Sequence, residues 1–497
     1  MRIRAALLLA CLFTGGSAVF AQPHWEQFRG SNGRGVAPDA HTLPAEFNEN
    51  QNLLWKCEVP FGHSSPCIWD DNIFLTGITG TNLETLCIDR STGTIRWRAQ
   101  AWYEFIERVH RSNSPASPSP ACDGQRVYVY FGSAGLICYN LEGQEVWNRV
   151  MSPPPTLYGT ASSLILANGL LIFCNDNERQ SYLEAIDPPT GKTVWRTERS
   201  DLKENWTTPL FWNNNGIEEL VVNGQGGLRA YLLKDGTQRW SLPGLTYEPC
   251  VSPVAHDGLV YITSYNMKTN TEVIGLPAWD DLVKELDKDG DGELTLEETK
   301  PNKSILSRAD ADGEGDHPLW GFHRFLDEDR NGKITGVEWQ KIVNWVDSFP
   351  QTNAIMAVKP PADDGTVAEI AWKYEKGVPE VPSPLYYDGR VYSVKNGGMI
   401  TCLDAKTGEL KYSGRLGAGG PYYASLVAGD GKIYASSIRG VVTVFEAGDQ
   451  LKILANNDLK ERISATPALL DGKIYIRSDK HFYAFGSPAN SKGNPSE

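Results

Sequence analysis

Along most of this chain, apolar residues fall in short alternating or solid runs of about four to six, the length and pattern of β-strands. Asp-Gly or a similar turn pair breaks the runs. One phrase returns eight times. It has a small or hydroxyl residue, often then Pro, a few apolar residues, Asp-Gly, and an apolar run ending in Tyr. Full copies are Ser119-Pro120 to Tyr128, Ser252-Pro253 to Tyr261, Ser383-Pro384 to Tyr392 and Thr466-Pro467 to Tyr475. Looser copies start at Ser65-Pro66, Ser162-Ser163, Thr208-Pro209 and Ala424-Ser425. Asp-Gly between two such runs predicts a type I′ hairpin, because both turn residues need positive φ.

A second phrase follows most copies: a small residue, then Asp, then Gly, then an aromatic four residues on. Cys87-Ile88-Asp89 with Gly93 and Trp97 is one example. Ala185 to Trp195, Ala230 to Trp240 and Cys402 to Tyr412 are others, and Cys138 to Trp147 is one residue shorter. It predicts two further strands per unit, with the aromatic docked on the next unit. Four strands in each of eight radially stacked units predict an all-β fold, an eight-bladed β-propeller. Such stacking leaves only short, protected strand edges. Leu53–Val59 is expected to pair after Tyr483-Ala484-Phe485 and close the ring, putting both chain ends in one blade.

The strand pattern stops after Leu259–Ser264 and resumes at Ile355–Val358 and Ile370–Tyr374. Between them the apolar spacing is helical: Trp279, Leu282, Val283 and Leu286; Trp320, Phe322, Phe325 and Leu326; Val337, Trp339, Ile342, Val343 and Trp345. Two loops follow the first two stripes, Asp287 to Glu298 and Asp327 to Glu338. Each reads D-x-[DN]-x-[DN]-G-x₅-E, the calcium loop of an EF-hand. Calcium takes six to eight hard oxygens. Asp287, Asp289, Asp291 and Glu298 would supply side chains in loop one, with the Glu293 carbonyl. Asp327, Asp329, Asn331 and Glu338 would do so in loop two, with the Lys333 carbonyl. Leu294 and Ile334 sit where paired hands form a short two-stranded contact. The segment resembles a paired EF-hand module, inserted in blade five and expected to bind two calcium ions, loop one more tightly. Asp310 to Asp316 lacks the central Gly and reads as an acidic linker.

The aromatic-docking phrase resembles that of PQQ-like eight-bladed propellers over about residues 50–490, the insertion excepted. That family includes quinoprotein alcohol dehydrogenases and the propeller lipoprotein of the outer-membrane barrel-assembly machine. Trp25, Phe28-Arg29-Gly30, Asn32-Gly33 and Gly35 resemble the N-terminal arm of a secreted subgroup. The resulting organisation is a signal peptide over 1–21, an arm over 22–50, and propeller over 51–266. The insertion takes 267–352, more propeller 353–488, and a disordered tail 489–497.

Arg2 and Arg4, the apolar run Ala5–Phe13 and Val19-Phe20-Ala21 read as a secretory signal, so a periplasmic or secreted location is expected. Leu8-Leu9-Ala10-Cys11 resembles a lipoprotein box only in part, since the apolar run continues past it. No other apolar run is long enough to span a membrane. Of the formal charge of −14, residues 277–350 contribute most, with 18 Asp/Glu against 9 Lys/Arg. No basic patch with interleaved aromatics points to nucleic acid. None of the 9 cysteines forms a C-x-x-C pair, and several recur at one repeat position, which favours buried hydrophobes over a disulfide framework.

In a propeller, the residues before each first strand ring one mouth of the axial channel. Here they include His63, His110, Arg111, Asn113, Tyr158, Trp206, Glu248, Glu380 and Tyr423. A concave ring of mixed chemistry suits a small ligand, a peptide, a glycan or an envelope protein. Three readings compete. A calcium-binding propeller acting as a binding or scaffold protein is favoured over an enzyme. A PQQ-dependent dehydrogenase lacks the adjacent cysteine pair and the C-x-x-C-H that the resemblance implies, so PQQ is not expected. A hydrolase using His63 or His110 with Glu248 lacks a nucleophile motif.

Overall fold

The computed structural model describes residues 24–38, 41–266, 273–274, 276–300, 304–308, 317–348, 352–362 and 365–487. The signal peptide, Cys11, the acidic linker at Asp310 to Asp316 and the tail lie outside these residues.

Eight four-stranded antiparallel sheets form the blades. Blade eight takes its outer strand from the start of the chain. Leu53–Glu58 pairs with His481–Gly486, Leu53 opposite Phe485 and Trp55 opposite Ala484. The expected closure is therefore present. The Asp-Gly turns behave as read in blades five to eight, where Asp257, Asp388, Asp430 and Asp471 all have φ between 47 and 51°. Blade two differs. Asp123 does not adopt positive φ, and its carboxylate instead accepts the Gln125 and Arg126 N–H groups at 2.8 and 2.7 Å.

Two devices join the blades. On the outside, the repeat tryptophans dock as expected. Trp55, Trp97, Trp147, Trp195 and Trp372 each donate Nε1–H to a backbone carbonyl of the following blade, at 2.8–2.9 Å. Each ring lies flat on the glycine of that blade's second phrase: a Cβ at Gly93, Gly143, Gly191 or Gly408 would fall 2.6 Å from the indole. Trp240 departs from the rule. Blade five has Pro360-Pro361 where the glycine turn would be, and Trp240 bonds Glu219 of its own blade at 2.9 Å. On the inside, the hydroxyl residue of the first phrase closes a ring. The N–H groups of Ser65, Ser119, Ser163, Thr208, Ser252, Ser383, Ser425 and Thr466 each donate to the side-chain oxygen of the next, Thr466 returning to Ser65, all at 2.9–3.1 Å. All eight residues are buried. Each such bond is worth about 1 kcal/mol net, and leaving one of its partners unmade would cost more.

The arm crosses the inner strands over 24–37, pairing with the free edges of blades one and seven, and its residues 41–48 contact blades seven and eight. Trp25 exchanges backbone hydrogen bonds with Ile68 in blade one at 2.7 and 2.9 Å. The Gln27 side chain accepts the Leu166 N–H of blade three, and Arg29 donates to the Pro384 carbonyl of blade six at 2.8 Å. Gly35 and Ala37 pair with Ala428 of blade seven. The arm thus runs from blade one past blades three and six to blade seven, and the connections that precede the hydroxyl residues form a separate rim.

The insertion leaves the hairpin between the second and third strands of blade five. Leu259–Ser264 and Ala354–Lys359 still pair directly, Ser264 opposite Ala354, so the ladder is unbroken. Within the insertion, α1 (Trp279–Leu286), α2 (Leu296–Thr299), α3 (Leu319–Leu326) and α4 (Gly336–Asp347) flank two loops. Leu282, Leu286, Leu294, Leu319, Leu326, Ile334 and Trp339 make a core separate from those of the blades. The helical stripes were read one position off in places. Trp320 and Phe325 are exposed because α3 turns Leu319, His323 and Leu326 inward, and Val337 and Trp345 are exposed on α4, which buries Trp339.

Candidate functional site

Two places gather chemistry. The first is the insertion. Its loops meet through a short antiparallel contact, Leu294 opposite Ile334 and Thr295 opposite Lys333, as the sequence suggested. In loop one, Asp287 accepts the Gly290 and Gly292 N–H groups, and Asp289 and Asp291 accept those of Asp291 and Glu293. These bonds curl the chain so that carboxylate oxygens of Asp287, Asp289 and Asp291 lie within 4.8 Å of one another. Asp327, Asp329 and Glu338 converge in the same way in loop two. Glu298 and Glu338 close each loop by accepting N–H groups from both its ends, Lys288 and Thr295 in loop one, Glu328 and Thr335 in loop two. The Thr295 and Lys288 bonds hold the Glu298 carboxyl down at about 2.

The donor set fits a hard cation. It is all oxygen, and one buried oxygen, Asp327 Oδ1, has no hydrogen-bond partner although Asp327 is only 8% exposed. The loops differ in their outer contacts. At the fifth position of loop two, Asn331 donates its amide to Asp329 at 3.1 Å. At the fifth position of loop one, Asp291 takes the Lys333 ammonium, which also lies 3.3 Å from Glu293.

The second place is the rim formed by the connections before the hydroxyl residues. His63 is half-buried, and burial with Arg477 and Arg462 nearby pushes it down to about 3, so it is neutral at any physiological pH. His110 and Arg111 are exposed. His110 Nδ1 meets Ser112 Oγ at 2.8 Å within one turn, and among the described residues no carboxylate pairs with its ring. Asn113 is structural: its amide donates to the Tyr158 and Thr160 carbonyls at 2.9 and 3.1 Å. Trp206 is buried at 7% exposure, donates Nε1–H to the Gly159 carbonyl and meets Tyr158 edge-on at 5.0 Å. Its ring packs between blades and offers no open platform. Glu248, Glu380 and Tyr423 are half-buried around the rim.

Three residues at the mouth escaped the sequence reading. Cys250 is a free thiol held well above its ordinary range by burial and by Glu380, Glu248 and Glu204. Glu204 accepts the Leu157 N–H across the blade boundary. Glu107 is buried and accepts both the N–H and the hydroxyl of Thr160, at 3.1 and 2.8 Å. Burial pushes its carboxyl up to about 7. Glu107 lies well before its hydroxyl residue, outside the stretch where candidates were sought; Glu204 and Cys250 lie inside that stretch, beside Trp206 and Glu248, and were passed over because nothing local marks them. The rim is thereby divided: carboxylates gather around Cys250 and Tyr158, and Arg462 and Arg477 face His63.

Fold and repeat together define an eight-bladed propeller of the PQQ-like repeat class. Residues 42–276 match the family model described as outer membrane protein assembly factor BamB. The protein of that name from Yersinia pestis is 20% identical over 323 residues, covering 62% of this chain and 69% of its own length. Among solved structures, BamB from Moraxella catarrhalis is similar with a TM-score of 0.51 and 12% identity, over 89% of this chain and all 100% of that one. Quinohemoprotein alcohol dehydrogenase from Comamonas testosteroni is similar with a TM-score of 0.53 and 12% identity, over 93% and 80%. At these identities the structural likeness speaks for the fold. No helix among the described residues is long and apolar enough to cross a membrane.

Proposed function

We propose that this chain is an exported, calcium-binding propeller that acts as a binding or scaffold protein in the cell envelope. The observation that carries the binding reading is the state of the mouth's reactive groups. His63 is held neutral, Cys250 is held as a thiol, and His110 has no acid partner among the described residues. These three are poorly placed for proton transfer or attack, and Glu107, whose carboxyl lies near 7, is buried and taken up by Thr160. The relatives' name, an outer membrane protein assembly factor, agrees with an envelope scaffold. The dehydrogenase alternative draws on neighbours of equal similarity. Against it stand the buried Trp206 face and eight unpaired cysteines, none adjacent to another. In the insertion, Asp287, Asp289, Asp291 and Glu298 would hold one calcium with the Glu293 carbonyl. Asp327, Asp329, Asn331 and Glu338 would hold another with the Lys333 carbonyl.

Two experiments test the reading. Reconstitution with PQQ and calcium, assayed with an artificial electron acceptor, should give no alcohol or sugar oxidation; turnover abolished by Glu248→Gln would overturn the scaffold reading. Titration calorimetry with calcium chloride should show binding near the 10⁻⁴–10⁻³ M typical of extracellular modules. No heat at millimolar calcium would remove calcium from the function.

A further inference from the structure

One residue touches both calcium loops. Lys333 occupies the seventh position of loop two, where the backbone carbonyl is the ligand, and its own N–H is fixed by Asn331 Oδ1 at 2.8 Å. Its side chain crosses the two-stranded contact, where Lys333 pairs with Thr295, and places its ammonium on Asp291 and Glu293 of loop one. Asp291 is a ligand of loop one, and its other oxygen already accepts the Glu293 N–H at 2.9 Å. The Lys333 side chain is 36% exposed and that of Asp291 33%, so solvent screens the pair in part.

We infer that Lys333 sets the calcium affinity of loop one and makes the two loops oppose each other. The inference rests on the calcium reading above. A fixed positive charge beside Asp291 cancels part of the field of the loop-one carboxylates and repels an arriving dication. An ion in loop two holds the Lys333 carbonyl and so holds the ammonium in place over loop one. Filling either loop therefore weakens the other, and by linkage the effect is reciprocal. Carboxylate number alone favours loop one, with four against three; Lys333 narrows that difference.

The test is calcium calorimetry on the full chain carrying Lys333→Met or Lys333→Arg, each alone and with Glu338→Gln to silence loop two. Lys333→Met should tighten loop one about fivefold, an order-of-magnitude estimate for one partly exposed charge acting on a divalent ion. Loop two should not change, since its ligand there is a backbone oxygen. Lys333→Arg should behave as wild type. With Lys333 in place, silencing loop two should also tighten loop one, and in Lys333→Met that gain should vanish. Unchanged or weaker loop-one binding in Lys333→Met would overturn the inference while leaving calcium binding intact. Absence of calcium heat in the unaltered chain would instead remove the reading beneath it.

Discussion

The propeller and the insertion solve the problem of holding a fold together in opposite ways. In the propeller, one interaction is repeated around a circle: an indole on a glycine outside, a hydroxyl accepting an N–H inside. Each blade depends on two neighbours, and the last hydrogen bond, Thr466 to Ser65, joins residues 401 apart in sequence. In the insertion, a small core of seven buried residues is flanked by loops whose carboxylates converge and repel. The first kind of stability is cooperative and needs no ligand. The second is local, and under the proposed function a cation completes it. Each prediction that follows would break or sharpen that contrast.

The largest effect is expected at a dock next to the insertion. Trp372 sits in the outer strand of blade five, 9% exposed, with Gly408 beneath it. Trp372→Ala should destabilise the propeller by about 3–5 kcal/mol, the usual cost of removing a buried tryptophan. Calcium uptake by the insertion in the same blade should be unchanged at temperatures where the ring is folded. Calorimetry of unfolding and of calcium binding on one sample measures both. Loss of calcium affinity together with propeller stability would show that the insertion borrows its order from the ring.

The converse change comes next. Calcium at about one hundred times its dissociation constant stabilises whatever unit binds it by about 2.7 kcal/mol. Chelation should lower one thermal transition and leave the propeller transition in place. A single transition that moves as a whole would mean that the unbroken pairing of Ser264 with Ala354 couples the two units.

How much of this the sequence showed follows the same divide. Repetition made the blades legible, because a role seen eight times at one spacing needs no tertiary knowledge. The pairing of the two acidic loops was legible because the motif fixes residue type at each position. The mouth was legible in place but poorly in detail. Trp206 was read as part of the ligand ring, yet it is packed under Gly159, since the connection between blades two and three folds over it. Glu107, Glu204 and Cys250 carry no local pattern; only the folded connections bring them to the rim. The arm's course across the inner strands was equally hidden, because it pairs with blades far from it in sequence, blades six and seven among them.

Glu107 tests this non-repeating part of the propeller. Its folded carboxyl is raised from 4.5 to about 7 by burial, so the folded state holds a proton that the unfolded chain releases. Stability contributed by this group is present below pH 4.5 and is lost as pH rises towards about 7. Glu107→Gln keeps an oxygen to accept from Thr160 and cannot ionise. It should be more stable than wild type by about 1–3 kcal/mol at pH 8 and equal to it at pH 4. The denaturation midpoint at the two pH values measures this. A gain of the same size at both would point to packing and not to charge.

The smallest effect separates the two loops of the insertion from each other. Their fourth positions share a left-handed backbone, φ 75° at Gly290 and 61° at Arg330. Glycine takes that conformation freely, whereas a side chain brings its Cβ too close to the following carbonyl, at about 1–2 kcal/mol. Loop two therefore carries a backbone cost that loop one does not. Arg330→Gly relieves the strain but also frees the unfolded chain, so the net gain should be under about 1 kcal/mol. Removing the Arg330 charge should also favour the cation slightly in loop two. The insertion's own thermal transition should rise, and the propeller's should not move. Gly290→Ala in loop one is the mirror experiment and should cost about what Arg330→Gly gains. If both changes shift the insertion by equal and opposite amounts while loop-one calcium affinity stays above that of loop two, the difference between the loops lies in ligand charge and not in backbone strain.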